Sequence, residues 1–386
     1  MTQPLRVLMV SDVYFPRING VSTSIETFRQ ALGPEGVEVS LIAPRYGDEA
    51  EAAGITRVRG WPIPLDPEDR FVAYGSLKRA VLAAAPNHDI IHIQTPFGAH
   101  YAGLAAARAH RKPVLTTYHT LFEEYLHHYI PFLPARALRA MARSFSRSQC
   151  NAMNRVVVPS TAMAERLRDY GVETELRILP TGLPQAAFTP GDGARFRTGL
   201  GLDARTPVLL FVGRVAHEKN IGLLLQALVD IRKQYPDVQL LITGEGPAVP
   251  ELQRQTEKFD LKGNVRFLGY LDRRSELPDA YASADAFIFA SRTETQGLVL
   301  LEAMAQGCPV VGIPAMGTRD ILGPERGCVP APDDPAGFAQ AVIRLLADPD
   351  TRARLAAEAR IYAAEWSDEA MARRMAALYR EMLNPP

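Results

Sequence analysis

Residues 286–305 read AFIFASRTETQGLVLLEAMA. The apolar run Ala286–Ala290 predicts a buried strand, and the apolar-rich run after Gly297 predicts a helix. A strand, a short turn and a helix in this order form half of a βαβ unit, from which parallel sheets are built. This stretch therefore predicts an α/β fold in which the turn lies at the carboxyl end of a strand.

The same rhythm runs through both halves of the chain. In the first half, short β-branched runs predict strands at Arg6–Val10, Glu38–Ile42, Ile90–Ile93, Val114–Tyr118 and Val156–Pro159. In the second half, they predict strands at Val208–Val212, Gln239–Thr243, Val265–Leu268, Ala286–Ala290 and Pro309–Gly312. Helical stretches lie between the strands, so each half predicts a doubly wound, Rossmann-like sheet.

The length of the chain also indicates two domains. It has 386 residues, whereas one domain usually holds about 100–200. Pro and Gly recur from Pro180 to Gly193, so we place the linker there. We predict one domain over 1–183, a second over 184–366, a cleft between them, and a last helix at about 367–386 that packs back on the first domain.

Composition and charge exclude several classes of protein. Apolar residues make up 47% of the chain and charged residues 22%, which is typical of a globular protein. The 43 basic and 43 acidic residues balance, which disfavours nucleic acid as the main partner. The widely spaced cysteines predict neither a disulfide framework nor a zinc cluster, and no apolar run is long enough to span a membrane. We therefore expect a cytoplasmic protein, whose oligomeric state the sequence leaves open.

The turn in the opening stretch carries two carboxylates, with Glu294 in the turn and Glu302 within the helix. Gly297 lets a ligand approach the backbone closely. The N–H groups of Gly297, Leu298 and Val299 have no helical acceptor, so they predict an anion site. Carboxylates beside such a site can accept hydrogen bonds from sugar hydroxyls. A helix-capping Glu294 and a surface Glu302 are the structural alternative.

A second turn could bind phosphate. Residues 213–220 read GRVAHEKN and follow a predicted strand. The guanidinium of Arg214 can hold a phosphate through two hydrogen bonds, and Lys219 can add a point charge. Surface solvation of the two cations is the alternative.

A third turn follows the first predicted strand. Residues 19–26 read NGVSTSIE, and Gly20 could bring backbone N–H groups close to a diphosphate. Thr23 and Glu26 have the spacing of a capping box, so a plain capped helix is the alternative. The G-x-G-x-x-G fingerprint of nicotinamide and flavin sites is absent from this turn.

Other predicted strands end in polar residues. His119 follows Val114–Tyr118 and is predicted to point into the cleft, with a structural histidine as the alternative. The loop Gly244–Pro247 is a plausible rim for a base or ribose. Asp348 and Asp350 form a D-x-D pattern, but they lie between two predicted helices, so we interpret Asp348 as a helix cap.

Together, these motifs resemble family 4 of the retaining glycosyltransferases, which have the GT-B fold of two Rossmann-like domains. The resemblance rests on the E-x(7)-E pair, the G-R-x(4)-K run and the early glycine loop, which occur in the family's order over nearly the whole chain. Within the family, Tyr118-His119-Thr120, Phe122–Tyr125 and Ser291–Leu298 look most like bacterial diacylglycerol glycosyltransferases and related glycolipid synthases.

The resemblance implies a role for each matching residue. Arg214 and Lys219 would hold the donor diphosphate, assisted by Gly20 and the amides of residues 297–299. Glu294 would hold hydroxyls of the transferred sugar. Further roles follow in the same way: Glu302 would hold the ribose, His119 would orient the reaction beside the sugar, and Gly244, Gly246, Tyr270 and Leu271 would border the base.

A basic helical face is predicted by four arginines spaced three or four residues apart: Arg136, Arg139, Arg143 and Arg147. An aromatic loop precedes them and includes Tyr125, Tyr129 and Phe132. No acidic residue lies between Glu124 and Glu165. A basic amphipathic helix beside exposed aromatic residues predicts binding to a lipid acceptor and to an anionic membrane surface. A solvated arginine face on an ordinary helix is the alternative.

We therefore expect a retaining, metal-independent hexosyltransferase that moves glucose from UDP-glucose to a lipid such as diacylglycerol, at the inner face of the plasma membrane. No cofactor beyond the nucleotide-sugar substrate is expected, because no carboxylate pair is arranged for Mg²⁺. UDP-galactose, UDP-glucuronate and GDP-mannose stay open as donors. The alternatives are a soluble sugar or polyol acceptor, a nucleotide-sugar epimerase, and a non-catalytic protein that binds nucleotide sugars.

Overall fold

The computed structural model describes residues 4–63, 66–119 and 135–384. The chain divides into two compact units, Met1–Gly182 with Asp368–Pro386, and Leu183–Ser367. The division falls within the Pro- and Gly-rich segment in which the sequence places the linker.

The first unit contains eight strands among its described residues: β1 Leu5–Val10, β2 Val37–Arg45, β3 Ile55–Ile63, β4 Asp66–Val72, β5 Ile90–Ile93, β6 Val114–Thr117, β7 Arg155–Val158 and β8 Leu176–Ile178. Five of its helices are α1 Gly20–Ala31, α2 Tyr74–Ala84, α3 Gly98–His110, α4 Ala135–Cys150 and α5 Thr161–Asp169. The strands form one sheet in the order β4-β3-β2-β1-β5-β6-β7-β8. Every pairing is parallel except that of β4 with β3.

The second unit has the same architecture. Its strands are β9 Val208–Val212, β10 Gln239–Thr243, β11 Val265–Gly269, β12 Ala286–Phe289, β13 Val310–Gly312 and β14 Cys328–Pro330. Its helices are α6 Gly193–Gly199, α7 Ile221–Gln234, α8 Val249–Lys258, α9 Glu276–Ser283, α10 Leu298–Ala305, α11 Thr318–Leu322, α12 Pro335–Ala347 and α13 Pro349–Ala364. The strands form a parallel sheet in the order β11-β10-β9-β12-β13-β14.

Short 3₁₀ turns complete the elements, at Gly33–Glu35, Ala85–Asn87, Gln185–Phe188 and His217–Lys219.

In each sheet, the strands that follow in the chain are added first on one side of the unit's first strand, β1 or β9, and then on its other side. In doubly wound folds, ligands bind at this point of reversal. The α/β prediction is confirmed for both units. The central strands are apolar along their whole length because both faces of a parallel sheet are covered by helices.

The last helix, α14 Asp368–Leu383, belongs to the first unit. Its apolar residues recur at helical spacing, and Met371, Met375 and Tyr379 are buried against the core of that unit together with Ile25 and Phe28 of α1. Helix α14 therefore closes the face of the first sheet on which α1 lies. None of the described helices is both long enough and apolar enough to cross a lipid bilayer.

His92 fastens α14 to the sheet. Its Nδ1 lies 2.7 Å from the hydroxyl of Tyr379, and its Nε2 lies 2.7 Å from the hydroxyl of Thr117 on β6. Burial, with a smaller contribution from the charge of His119, lowers the pKa of His92 to about 3. The imidazole is therefore neutral in the folded chain at neutral pH.

We predict that His92 makes the first unit sensitive to acid. The unfolded chain binds a proton at His92 near pH 6.5, whereas the folded chain does not until about pH 3, so stability present above pH 6.5 is lost as pH falls towards 3. The loss from this residue is at most about 1.4 kcal/mol per pH unit. Urea unfolding at pH 7.5, 6.0 and 5.0 should show a shallower pH dependence for His92→Gln than for the parent chain. His110→Gln, at a half-buried position of the same unit, is the control, and equal slopes for the parent and His92→Gln would contradict the prediction.

Candidate functional site

Two loops of the second unit meet at the carboxyl end of its sheet. Strands β9 and β12 are neighbours, so the loops that follow them, residues 213–220 and 290–297, lie at the same edge. Two hydrogen bonds join the loops: the side chain of Asn220 donates to the carbonyl of Ala290, and the hydroxyl of Ser291 donates to the carbonyl of Glu218, each at 3.3 Å. The sheet thus brings together two motifs whose hydrogen-bonded residues are 70 and 73 positions apart in the sequence.

The central contact of these loops is an ion pair between Lys219 and Glu294. The Lys219 Nζ donates to Oε1 of Glu294, and the two side chains are only 20% and 18% exposed. The other carboxylate oxygen, Oε2, has no hydrogen-bond partner within the described part of the chain. Glu294 does not cap α10, because the N-cap residue of this helix is Gly297 and the helix start has no side-chain cap hydrogen bond among the described residues. The capping alternative for Glu294 is therefore wrong.

Arg214 lies on the loop after β9 with its side chain exposed to solvent. Among residues 4–63, 66–119 and 135–384, no carboxylate forms an ion pair with Arg214. The backbone around it is fixed, because Val215 N donates to the carbonyl of Glu245 at 2.9 Å and Ala248 N donates to the carbonyl of Val215 at 3.0 Å. An anchored backbone with an exposed guanidinium can bind an anion.

Gly244 and Gly246 hold the neighbouring loop against this backbone. A Cβ on Gly244 would collide with the carbonyl of Gly213, and one on Gly246 would collide with the carbonyl of Val215. Gly244 also has φ 116°, a conformation that side-chain-bearing residues rarely adopt. The two glycines are therefore required by the close approach of the loops, which sets the position of Arg214.

Gly297 opens α10 in the left-handed conformation, with φ 95°. A Cβ at this position would lie 3.1 Å from Cγ2 of Thr318, so the turn has little room for a side chain. The turn is held from behind by Gly317 N, which donates to the carbonyl of Glu294 at 2.8 Å. The N–H groups of Leu298 and Val299 are the first of the helix and have no helical acceptor. They form the positive end of the α10 dipole beside the Lys219–Glu294 pair.

Glu302 is not a surface carboxylate, since its side chain is only 14% exposed. The hydroxyl of Tyr281 donates to its Oε2 at 2.9 Å, and Arg273 Nη2 donates to its Oε1 at 2.6 Å. Sequence reasoning identified Glu302 and missed both partners. Tyr270, 64% exposed, and the half-buried Leu271 begin the loop on which Arg273 lies, directly after β11.

In the first unit, His119 follows β6 and its Nε2 lies 3.0 Å from the amide oxygen of Gln94. An amide oxygen only accepts hydrogen bonds, so this contact requires the proton on Nε2 and leaves Nδ1 as an acceptor. Burial lowers the pKa of His119 to about 4. The ring is therefore neutral at pH 7 and can act through hydrogen bonds.

Gly20 is the first residue of α1, and a Cβ on it would meet no atom within 4 Å. The predicted capping box of Thr23 and Glu26 is wrong. Asn19 is in the extended conformation and forms the box with Ser22, because the helix begins at Gly20, ahead of Thr23. Glu26 instead accepts from the hydroxyl of Tyr14 and pairs with Arg29 at 2.9 Å.

Asp12 is a polar residue that the sequence motifs did not single out, although it lies only two residues after the end of β1. Its Oδ2 accepts from the hydroxyl of Thr95 at 2.7 Å, and its two oxygens accept from the N–H of Ala99 in the first turn of α3 at 3.0 and 3.1 Å. Burial raises the pKa of Asp12, while these hydrogen bonds act in the opposite direction. The carboxylate thus joins β1 to the end of β5 and satisfies the start of α3.

The predicted basic face is present on α4. Its four arginines, Arg136, Arg139, Arg143 and Arg147, are all exposed. Leu138 and Ala142 of the same helix are buried, whereas Met141 is 52% exposed. The Arg143 guanidinium lies over the ring of Tyr170, 5.4 Å from its centre. The aromatic residues predicted to accompany this face, Tyr125, Tyr129 and Phe132, lie outside the described residues.

Asp348 is the N-cap of α13, and its side chain accepts from Thr351 N at 2.9 Å. The interpretation of this aspartate as a helix cap is confirmed. Across the parts of the chain that the structure describes, no three His, Cys, Asp or Glu side chains gather in a group that could hold a metal ion.

Comparison with known proteins identifies both halves of the chain. Residues 18–186 match the family model "Glycosyltransferase Family 4", and residues 194–362 match "Glycosyl transferases group 1". The alpha-monoglucosyldiacylglycerol synthase of Streptococcus pneumoniae is 33% identical over 314 residues, which cover 80% of this chain and 70% of the relative. The enzyme of the same name from Acholeplasma laidlawii is 29% identical over 319 residues, covering 80% of each chain.

The fold is also that of a solved glycosyltransferase structure. Sucrose-phosphate synthase from Thermosynechococcus elongatus superposes with a TM-score of 0.77 at 23% identity, covering 99% of this chain and 100% of that one. Together with the two doubly wound sheets, this similarity confirms the predicted GT-B fold.

We predict that the Lys219–Glu294 pair stabilises the second unit. Because both side chains are about four-fifths buried, a double-mutant cycle of Lys219→Met and Glu294→Gln, measured by urea unfolding, should give a coupling energy of about 1–2 kcal/mol. The same cycle on Lys262 and Glu257, an exposed pair at 2.9 Å, is the control and should give less than about 1 kcal/mol. Equal coupling in the two cycles would show that burial does not strengthen the site pair.

Proposed function

Because the chain belongs to family 4 of the glycosyltransferases, we propose that it transfers glucose from UDP-glucose to a lipid acceptor such as diacylglycerol. The observation that carries the proposal is the meeting of Arg214, Lys219, Glu294 and the start of α10 at one edge of the second sheet. This edge combines positive groups for a diphosphate with a carboxylate for sugar hydroxyls. We assign the donor to the second unit and the acceptor to the first.

The proposed role of Lys219 is compatible with its ion pair. A lysine ammonium has three N–H donors, so Nζ can bond Oε1 of Glu294 and still donate to a phosphate oxygen. Arg214, which has no ion-pair partner in the described part of the chain, supplies a second cation, and the amides of Leu298 and Val299 supply the helix dipole. These fixed positive groups would stabilise the negative charge of the leaving diphosphate.

Glu294 offers one oxygen to a sugar. Its Oε1 is taken by Lys219, whereas Oε2 has no partner among the described residues. A charged acceptor with one unoccupied oxygen is suited to the hydroxyls of a hexose. Because the ammonium holds the carboxylate in place, a sugar hydroxyl meets an acceptor that is already oriented.

For the chemical step we propose retention at the anomeric carbon without a metal ion. The acceptor hydroxyl attacks from the face that the diphosphate leaves, and its proton passes to a phosphate oxygen of the leaving group. His119, which is neutral at pH 7, orients reacting groups by hydrogen bonding rather than by charge. Trapping a covalent glycosyl-enzyme by mass spectrometry would overturn this route.

A donor screen tests the proposal as a whole. The purified chain is mixed with diacylglycerol in detergent micelles and with UDP-glucose, UDP-galactose, UDP-glucuronate or GDP-mannose, and the released nucleoside diphosphate is measured. We expect release with UDP-glucose that depends on diacylglycerol, and an α-linked product. Release that depends instead on a soluble sugar or polyol would contradict the lipid acceptor, and no release with any donor would contradict the transferase activity of this chain.

We predict that Glu294→Ala lowers sugar transfer by about 100-fold or more, because loss of an oriented polar contact to the transition state typically costs 10²–10³ in rate. The variant should remain folded, since the site lies at a loop and leaves the core intact. Glu257→Ala, which breaks a Lys–Glu pair elsewhere in the second unit, is the matched control and should retain transfer. Turnover of Glu294→Ala close to that of the control would remove Glu294 from the site.

We also propose that the arginine face of α4 binds anionic membranes. The four arginines are exposed and could each contribute about 1 kcal/mol beside a negatively charged surface. Binding through this face would hold the enzyme at the membrane surface, where its proposed lipid acceptor lies. We propose that the enzyme acts at the inner face of the plasma membrane.

We predict that replacing Arg136, Arg139, Arg143 and Arg147 by Gln lowers binding to anionic vesicles at least about tenfold. Co-sedimentation with phosphatidylglycerol vesicles at 50 and 300 mM salt measures the effect, which should weaken at high salt because the charges are exposed. The matched control replaces four exposed arginines of the second unit: Arg205, Arg254, Arg344 and Arg354. Equal losses in both quadruple variants would mean that the charge of the whole chain, and not the α4 face, directs binding.

A further inference from the structure

Tyr281 on α9 forms a buried contact with Glu302. Its side chain is 2% exposed, its ring packs 5.7 Å from that of Phe287 on β12, and its hydroxyl donates to Glu302 Oε2 at 2.9 Å. Burial, and then the charge of Glu302, raise the pKa of Tyr281 well above 10. The phenol therefore remains a hydrogen-bond donor over the whole neutral range, and the carboxylate is its acceptor.

The second oxygen of Glu302 is in a different situation. Oε1 accepts from Arg273 Nη2 at 2.6 Å, and Arg273 is 49% exposed on the loop that follows β11. One oxygen is thus fixed by a rigid, buried aromatic residue of the core. The other is covered by a long side chain that reaches solvent and can turn away at little cost in packing.

We propose that Tyr281 is a positioning residue that orients Glu302 towards the ribose of the nucleotide donor, and that the ribose hydroxyls displace Arg273 from Oε1. The inference rests on the proposed function, in which Glu302 holds the ribose. Fixing Oε2 through Tyr281 fixes the plane of the carboxylate, so the lone pairs of Oε1 point in a set direction before the ligand arrives. A preoriented acceptor loses less entropy on binding than a mobile one does.

The physical consequence is a preference for ribose over 2′-deoxyribose. A site whose carboxylate is held for a hydroxyl donor is left with an unsatisfied acceptor when that hydroxyl is missing. If Tyr281 no longer fixes the carboxylate, Glu302 can rotate away from the ribose, for example to bond Arg273 through both oxygens. The preference for the 2′-hydroxyl then becomes smaller even though Glu302 itself is unchanged.

The test uses calorimetric binding rather than activity. Binding of UDP, GDP and ADP to the parent chain identifies the nucleotide, and the bound one is then compared with its 2′-deoxy form. We expect Tyr281→Phe to weaken binding of the ribose form about tenfold and to change that of the deoxy form less than twofold, so that the ratio of the two affinities falls. Tyr235→Phe, at the end of α7 and so at the opposite edge of the sheet, is the control and should keep the parent ratio.

Two further variants make the test independent of any small loss of stability in Tyr281→Phe. Glu302→Ala should remove the preference for ribose, and adding Tyr281→Phe to it should change neither affinity. Arg273→Met should tighten binding of the ribose form by up to about threefold, because the hydroxyls no longer compete with the guanidinium.

The outcomes separate the inference from the function on which it rests. If the parent chain binds none of the three nucleotides, the proposed function fails with it. If it binds one with a ribose preference that Tyr281→Phe leaves unchanged, the positioning role of Tyr281 is overturned and the proposed function stands. Weaker ribose binding by Arg273→Met would overturn the displacement of Arg273.

Discussion

The ion pair between Lys219 and Glu294 is the contact on which the account of the site depends. It joins the loops that follow β9 and β12, and it can form only because these strands are neighbours in a parallel sheet. The pair leaves one carboxylate oxygen and two ammonium hydrogens for a ligand, so a single contact prepares both the sugar side and the phosphate side of the proposed donor site. The glycine loop after β10 then fixes the backbone of Arg214 beside it.

The two carboxylates of the E-x(7)-E motif are held by different means. Glu294 is held by a lysine from a neighbouring loop, whereas Glu302 is held by a buried tyrosine and an exposed arginine. Both carboxylates are therefore oriented before any ligand binds, which is how a site favours charge that develops in a transition state. His119 in the first unit is also oriented before any ligand binds, because its hydrogen bond with Gln94 fixes the tautomer of the neutral ring.

The sequence predicts the strands of the two sheets well where they are buried on both faces. Val208–Val212 is apolar throughout and Gln239–Thr243 is apolar at its three central positions, and the observed bounds of both strands equal the predicted ones. Strands β3 and β4 were missed because charged residues interrupt their apolar pattern, arginines in β3 and acidic residues in β4. Strand β4 is an edge strand of the sheet, and β3 lies next to it. Motif spacing identified Glu302, but Tyr281 and Arg273 come from α9 and a distant loop, and only the fold brings them to the carboxylate. The capping box of α1 was misplaced for a local reason, since Asn19 caps as well as Thr23 would.

The central claim is that protein cations, Arg214 and Lys219, hold the diphosphate of the donor. A crystal structure of this chain with UDP bound, grown with and without Mg²⁺, tests it most directly. The account predicts that phosphate oxygens lie within about 3 Å of the Arg214 guanidinium and of Lys219 Nζ in both crystals. Phosphates that lie away from these two side chains, or that are ordered only when Mg²⁺ is present, would contradict it.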